Sequence, residues 1–243
     1  MRPVHLLGVG LWAPEIDGLE AFCSGRRTEG MNEPKASLIP PKLARRTTFL
    51  TRMAAEVASQ AAAGVDPSLA RTVHASAYGE VRTLEALLDM LHDDGVLSPA
   101  RFHNSVHNTA AGHLSIATGN RAFSTTVSAG GDTVAMGLFE AMALLQDGGE
   151  SVLVLFGDEA PGPFGLRPFQ SLAVGLCLAA SPARGALARL SRPRRAESAS
   201  AYEPPEAFAH NPIAPALALL DAVHSRKSGP VPLGGWAVEL EMA

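Results

Sequence analysis

The chain has 243 residues, and its 20 Lys and Arg against 24 Asp and Glu give a net charge of −4. Hydrophobic residues make up 47% of it, which suits a single globular domain over residues 1–243. The lack of a basic excess argues against a nucleic-acid-binding protein, and no apolar run approaches the roughly 18 residues of a membrane-spanning helix.

The two cysteines, Cys23 and Cys177, are far apart in the sequence. Their number and spacing fit neither a disulfide framework nor a zinc site, so the sequence predicts a cytoplasmic protein.

Apolar runs and amphipathic stretches alternate in the first half of the chain. The pattern predicts strands at 4–9 and 73–77, with a loop over 18–41. A helix ends at Gly64, and a second one has its apolar face on four leucines: Leu84, Leu87, Leu88 and Leu91. Gly95 and Pro99 end that second helix.

The alternation continues through a helix that ends at Gly119, a strand at 122–127, a helix over 134–145 and a strand at 151–156. Such alternation predicts an α/β fold with a mainly parallel sheet and helices on both faces.

The last part of the chain is patterned differently. Residues 172–178 and 186–190 predict an antiparallel hairpin. The Pro-, Ser- and charge-rich stretch 192–212 predicts a flexible segment, followed by a short helix and a terminal strand.

Polar side chains cluster before the Gly119 helix, and two of them, His103 and His107, lie four residues apart. On a helix they would share a face and could share a metal ion. No Cys or carboxylate accompanies them, so we favour structural histidines and predict no metal site.

A turn of small residues joins the 122–127 strand to the next helix and contains Ser128, Gly130 and Gly131. A serine at such a turn can be a nucleophile, but the G-x-S-x-G pattern is absent and no base is evident. The alternative is a structural turn in which Asp132 caps the helix.

Three pairs of adjacent arginines occur, at 26–27, 45–46 and 194–195. Short basic runs are usually solvated surface. If one of them binds a partner, an acidic carrier protein suits it better than nucleic acid.

Residues 97–157 resemble the N-terminal half of β-ketoacyl synthases, the condensing enzymes of the thiolase-like fold. The family pattern runs S-P, then N-x-x-A-G-H-L-x-I-x-x-G-x-R-G-P, then a strand that ends T-A-C and two further glycines, and the residues that match it fall into register without a gap. The matching residues are Ser98, Pro99, Asn108, Ala111, Gly112, His113, Leu114, Ile116, Gly119, Arg121, Gly148 and Gly157. The looser resemblance covers most of residues 1–191 and implies one thiolase-like repeat, half of a ketoacyl synthase.

In this register the family's nucleophilic cysteine falls on Gly131, and the catalytic residues of the family's C-terminal half have no counterpart. The resemblance therefore implies a subunit with no catalytic residue and no cofactor, of the chain-length-factor type. Such a subunit pairs with an active synthase, which an acyl carrier protein serves, as in aryl polyene and xanthomonadin-type pigment systems. Two alternatives stay open: a hydrolase or decarboxylase that uses Ser128 or a histidine, and a homo-oligomeric scaffold.

The resemblance also implies which residues face the partner. The 122–127 strand would pair across the dimer axis, and the loop and helix that precede it would reach the partner's acyl channel. The implied set is Arg101, Phe102, Ser105, Val106, Thr109, Ala122, Phe123, Thr125 and Val127. Phe102 is expected to act as the floor of the channel.

Overall fold

The computed structural model describes residues 1–62, 64–162, 166–182, 185–196 and 202–243. The first half of the chain contains β1 (Val4–Ala13), β2 (Ile16–Asp17), α1 (Leu19–Ser24), α2 (Pro41–Ala44), α3 (Phe49–Ala61), β3 (Arg71–Ala75), α4 (Val81–Asp94), α5 (Pro99–His103) and α6 (Thr109–Thr118). The second half contains β4 (Ser124–Val127), α7 (Thr133–Gln146), β5 (Ser151–Asp158), β6 (Leu172–Ala179), β7 (Ala188–Leu190), β8 (Arg194–Arg195), α8 (Ala216–His224), β9 (Gly229–Pro232) and β10 (Trp236–Met242).

These strands form one sheet in the order β4-β3-β5-β6-β1-β7-β10-β8, with β2 paired to β1 and β9 to β10. Within the described strands, only β3–β4 and β3–β5 pair in parallel, and every other pairing is antiparallel. The prediction of a mainly parallel sheet is therefore wrong. β6 lies between β5 and β1 and runs opposite to both, and the strands beyond β1 also pair in antiparallel fashion: β7 with β1, β10 with β7 and β8 with β10.

The predicted hairpin of 172–178 and 186–190 is also wrong. β6 and β7 do not pair, because β1 lies between them: Leu11 is opposite Val174, and Val4 is opposite Leu190. β1 has ten residues, so it pairs with β6 along most of its length and with β7 at its start. Residues 183–184 of the connection lie outside the described residues.

Helices cover both faces of the sheet, which confirms that part of the prediction. α3 packs on β1, β5 and β6 and, together with Leu114 of α6, buries a cluster around Trp12, Met53 and Leu153. α7 and α8 bury the larger cluster on the opposite face, around Phe156 and Leu138.

The segment 192–212 was predicted to be flexible. The start of the segment forms β8, which pairs with β10. A short 3-10 helix, Glu206–Phe208, lies near its end. Phe208 is fully buried and Asn211 nearly so, which holds this end against the body of the domain. The prediction stays open for residues 197–201, which lie outside the described residues.

Candidate functional site

The turn between β4 and α7 contains Gly131, which the family resemblance aligns with the nucleophilic cysteine of the synthases. A 3-10 helix, Gly130–Asp132, leads into α7. The Thr133 hydroxyl accepts a hydrogen bond from the Ala129 N–H (3.1 Å) and donates to the Gly130 carbonyl (2.7 Å). Asp132 occupies the N-cap position without a side-chain cap bond, and its carboxylate lies 3.5 Å from Arg195 instead. The turn is thus fixed by Thr133 and not, as predicted, by Asp132.

Ser128 lies at the start of this turn and is exposed. Its hydroxyl donates to the Ala77 carbonyl at 3.1 Å, and no histidine or carboxylate among the described residues hydrogen-bonds to it. A serine nucleophile needs a base held against its oxygen. The geometry therefore gives Ser128 a role in linking two loops and supplies nothing that would activate it.

Asp158, at the carboxyl end of β5, holds the loop that follows β3. Its carboxylate accepts hydrogen bonds from the Ser76 hydroxyl (2.7 Å), the Tyr78 N–H (2.9 Å) and the Ala77 N–H (3.0 Å). Burial raises the pKa of Asp158 to about 6, although these three bonds act to lower it. Through Ala77, the same carboxylate indirectly positions Ser128.

Sequence reasoning missed Asp158. One sequence signal was available: Asp158 follows an apolar run that predicts a buried strand. A buried carboxylate without a partner would be costly, so this position implies hydrogen-bond donors nearby. The pattern could not show that the Ser76 loop lies beside it.

Two further carboxyl groups lie nearby. Burial raises the pKa of Glu159 to about 7, although the Arg82 N–H donates to it at 2.9 Å. Burial also raises the pKa of Glu80 to about 8, against a 2.8 Å bond from the Thr48 hydroxyl and with a contribution from Glu159. The Oε2 atom of Glu80 is buried, and none of the residues that the structure describes hydrogen-bonds to it. This end of the sheet therefore concentrates three carboxyl groups whose pKa values burial raises.

The two histidines considered as a metal pair are used separately. His107 Nε2 lies 3.1 Å from the Ser76 carbonyl oxygen, so it belongs to the Asp158 loop. His103 instead lines a pocket of about 550 Å³ with Arg45, Arg46 and His113. In the described chain, no group of three or more His, Cys, Asp or Glu is arranged to hold a metal ion.

Four of the predicted partner-facing residues lie on α5 and in the turn after it. Phe102 and Val106 are 57% and 44% exposed, Arg101 is exposed and Ser105 is half-buried. Thr109 is buried at the start of α6, and its hydroxyl has no hydrogen-bond partner within the described part of the chain. The first four are therefore accessible or partly so in one short segment, whereas Thr109 is buried.

The remaining predicted interface residues belong to the edge of the sheet. Thr125 and Val127 lie on β4, opposite Val73 and Ala75 of β3. Ala122 and Phe123 precede the strand, which begins at Ser124 and not at residue 122 as predicted. Phe123 is 53% exposed. β4 is the last strand in the order, so its outer edge has no neighbour in the described chain.

The leucine row predicted as the buried face of α4 is largely exposed. Leu87 is buried, but Leu84, Leu88 and Leu91 are 44–50% exposed. The period-3.6 pattern placed them correctly on one face of a helix. Within the described residues the fold covers Leu87 but not the other three leucines, which form an exposed apolar surface on α4, a helix that contacts α5.

The β-ketoacyl synthase, N-terminal domain family matches residues 22–231 of the chain. No curated protein matches it. None of the described helices is long and apolar enough to cross a bilayer.

Several solved structures share the fold. A chain of the ketosynthase (ApeO) in complex with its chain length factor (ApeC) from Xenorhabdus doucetiae has a TM-score of 0.75 and 20% identity, covering 99% of this chain and 100% of that one. The ishigamide ketosynthase/chain length factor gives 0.60 and 17%, over 80% and 68% of the two chains. The AntDE:AntF complex of a type II PKS acyl-carrier protein with its ketosynthase gives 0.62 and 19%, over 81% and 70%. With the family match spanning most of its length, the chain belongs to the β-ketoacyl synthase N-terminal domain family.

Proposed function

We propose that this chain is a non-catalytic chain-length or stabilising subunit that forms a heterodimer with an active β-ketoacyl-ACP synthase. One observation carries the proposal: the turn that would present a nucleophile holds Gly130 and Gly131, and it directly follows β4, whose outer edge has no neighbour among the described strands. The solved structures of similar fold include ketosynthases bound to chain length factors, which supports the same assignment.

The first step concerns chemistry. Glycine has no side chain to attack a thioester, and Ser128 donates its hydroxyl to a backbone carbonyl. A condensing reaction needs a nucleophile and a base to split a difficult step into easier ones. Acyl transfer therefore resides in the partner, and this chain needs no cofactor of its own.

The second step concerns pairing. The carbonyls of Phe123 and Val127 accept hydrogen bonds from Thr72 and Ser76, so these residues direct their backbone groups towards β3. Because bonding directions alternate along a strand, Ser124 and Thr126 direct theirs to the free edge. Such an edge is a template for a strand of another chain. In our proposal that chain is the synthase.

The third step concerns the exposed surface of α4 and α5, two helices that contact each other. Phe102 and Val106 add exposed apolar area, as do the α4 leucines. Exposed apolar groups gathered in one region mark interaction surfaces. We assign Arg101, Phe102, Ser105 and Val106 to the wall of the partner's acyl channel. There the bulk of Phe102 would limit the length of the growing chain, as in polyene biosynthesis.

The carrier protein reaches the complex as its substrate-bearing partner. Arg45 and Arg46 line the 550 Å³ pocket with His103 and His113, and the described lining contains no carboxylate. Opposite charge at such a site steers an acidic partner and fixes its orientation. We place the whole assembly in the cytoplasm, where the two free cysteines would stay reduced.

The test is co-expression with a full-length synthase, using Thr126→Pro. Proline removes the outward N–H of Thr126 and leaves the bonds to β3 in place, and edge strands tolerate it. We expect the variant to keep its thermal unfolding midpoint and to lose co-purification with the synthase. Thr126→Val, which retains the N–H and the branched shape, should co-purify like the unmodified chain.

Two results would contradict the proposal. A stable homodimer that ignores the synthase would support the scaffold alternative. Acylation of Ser128 by a thioester probe would instead assign the chain its own covalent chemistry.

A further inference from the structure

A network of hydrogen bonds joins the buried Glu80 carboxyl group to His113. The Oε1 atom of Glu80 lies 2.8 Å from the Thr48 hydroxyl oxygen, which lies 2.7 Å from the Thr51 hydroxyl oxygen. The Thr51 oxygen lies 3.5 Å from the Nδ1 atom of His113, which is the longest link. Four side chains from three parts of the sequence therefore form a continuous path for hydrogen-bond polarity.

The path ends in the basic pocket, the 550 Å³ pocket that His113 lines together with Arg45, Arg46 and His103. Most of the path is shielded from solvent. Glu80 is 2% exposed and Thr51 is fully buried, while Thr48 and His113 are half-buried. The buried hydroxyl groups therefore have each other as partners, as buried polar groups require.

With Glu80 ionised, one arrangement of the hydroxyl protons satisfies every group. The carboxylate only accepts, so Thr48 donates its single hydroxyl proton to it. The Thr48 oxygen then accepts from the Thr51 N–H, at 3.1 Å, and from the Thr51 hydroxyl. The Thr51 oxygen is left as an acceptor, so a neutral His113 must carry its proton on Nδ1. Its Nε2 atom then has a lone pair.

With Glu80 protonated, the arrangement reverses. A proton on Oε2 would be a buried donor without an acceptor among the described residues, which is costly, whereas a proton on Oε1 can be donated to Thr48. The Thr48 oxygen then accepts from Glu80 and from the Thr51 N–H, and its hydroxyl donates to Thr51. The Thr51 hydroxyl in turn donates to Nδ1, so the proton of His113 lies on Nε2.

Glu80 changes its charge in an accessible pH range. Burial raises its pKa to about 8, and the Glu159 carboxyl group raises it further, whereas the bond from Thr48 acts to lower it. Glu80 is therefore largely protonated at neutral pH and ionises as the pH rises through about 8.

His113 is neutral over the same range. Burial lowers its pKa, and the nearby His103 lowers it further. The two arginines of the pocket keep their charge throughout. The position of the single imidazole proton is therefore the property of His113 that ionisation of Glu80 can change.

We propose that Glu80 is a proton switch for the basic pocket: through Thr48 and Thr51 it determines which ring nitrogen of His113 is protonated. Near neutral pH the pocket then presents the Nε2–H group, a hydrogen-bond donor, to an oxyanion. At alkaline pH it presents a lone pair, which repels one. The biological use of the switch rests on the proposed function, in which an acidic carrier protein meets this pocket, but the switch itself belongs to the chain alone.

The test measures the tautomer of His113 in the isolated ¹⁵N-labelled chain. Two-bond ¹H–¹⁵N correlation spectra distinguish protonated from unprotonated ring nitrogens, and the loss of signals in His113→Gln identifies those of His113. We expect the proton on Nε2 at about pH 7 and on Nδ1 at about pH 9, with a midpoint near the Glu80 pKa of about 8. A proton on the same nitrogen at both pH values would overturn the proposal.

Variants test the route. Glu80→Gln cannot ionise, and Thr51→Val lacks the middle hydroxyl, so each should abolish the tautomer change. Thr51→Ser keeps the hydroxyl and should retain it. Thr118→Val is the matched control on α6, because the Thr118 hydroxyl donates to the Leu114 carbonyl at 2.8 Å and lies outside the network. A tautomer change that persists in Glu80→Gln or Thr51→Val would overturn the proposal.

Sulfate supplies the binding measurement, since its charge is constant over this pH range. We expect sulfate to bind the isolated chain several-fold more weakly at about pH 9 than at about pH 7. Thr51→Val, which keeps the Glu80 charge but breaks the network, should remove that difference. Equal sulfate affinity of the unmodified chain at both pH values would overturn the proposal. Failure of a carrier protein to bind the reconstituted complex would instead contradict the proposed function and leave these results unchanged.

Discussion

Gly10 of β1 lies directly beneath the backbone of Val57 on α3, where a Cβ atom on the glycine would be 2.6 Å from the Val57 carbonyl oxygen. Gly175, the register partner of Gly10 on β6, would meet the same carbonyl if it carried a Cβ. Two facing glycines therefore let α3 approach the sheet closely, and alanines on that helix fill the contact: Ala54, Ala55, Ala58 and Ala61. This contact fixes the helix layer on one side of the domain.

We expect Gly10→Ala to destabilise the domain by about 1–3 kcal/mol, because the methyl group must displace backbone and not a flexible side chain. Urea unfolding at neutral pH measures the change. Gly131→Ala is the matched control, since it adds the same methyl group into open space, and it should change stability by less than about 1 kcal/mol, in the stabilising direction. Equal effects from the two variants would contradict the packing argument.

Stability should fall as the pH rises from about 6.5 to 8. The folded-state pKa values of Glu159 and Glu80 are raised to about 7 and 8, so the folded state holds protons that the unfolded state has already released. The stabilisation of the fold by these two protonated carboxyl groups is complete below the unfolded-state carboxyl pKa. It is lost as the pH rises through their folded-state pKa values. Burial lowers the pKa of His74 to about 4. This shift makes the stability of the fold rise with pH, but only below the unfolded-state pKa of His74 near 6.5.

Glu80→Gln separates this effect from other titrations. The amide cannot ionise, so the variant should lose about 1–2 kcal/mol less than the unmodified chain between pH 6.5 and 8. Urea unfolding at several pH values in that window gives the slope. A slope that Glu80→Gln leaves unchanged would show that Glu80 is not the group responsible.

Phe102→Ala should change the length of the product or the stability of the synthase complex and leave the partner's active-site cysteine reactive. The Phe102 ring is 57% exposed, so it contributes little to the packing of the described chain. Its removal should therefore not unfold the domain. In a filled channel, chain extension against this ring would cost overpacking of about 1–3 kcal/mol. Product analysis of the reconstituted pair measures the change, with Phe102→Leu as the bulk-retaining control. An unchanged product profile together with unchanged complex stability would remove Phe102 from the mechanism.

Reversing both charges, Arg45→Glu with Arg46→Glu, should weaken carrier-protein binding to the reconstituted complex about tenfold at low salt, and less at high salt. Surface plasmon resonance at two ionic strengths measures the effect. The same reversal at Arg26 and Arg27 is the control, since that pair lies outside the basic pocket. Equal losses from both double variants would mean that only the net charge matters.

The sequence was sufficient for features that depend on local pattern. Amphipathic spacing and glycine stops located α3, α4 and α7, because side-chain burial repeats with the helical period. The family motif predicted the thiolase-like repeat, which the family match over residues 22–231 confirms. The placement of Gly131 at the family's nucleophile position remains a prediction, as does the partner-facing set.

Sheet neighbours could not be predicted, because pairing joins residues far apart in the chain. Whether β6 lies beside β7 or has β1 on its other side depends on long-range contacts that no local periodicity records. The exposed leucines of α4 are a similar case. An apolar stripe shows which face of a helix is hydrophobic, but it does not show whether another part of the chain packs against that face.

By itself, then, the sequence determined α3, α4 and α7 and the helix layers on both faces of the sheet, but not α1, which lies in the predicted loop 18–41. Only the tertiary structure decided the antiparallel order around β6, the free edge of β4 and the convergence of Ser76, Tyr78 and Asp158 on one loop. The physical reason is the same in each case: side-chain pattern fixes local conformation, whereas the partners of buried carboxylates and of strand edges are fixed by how the whole chain packs.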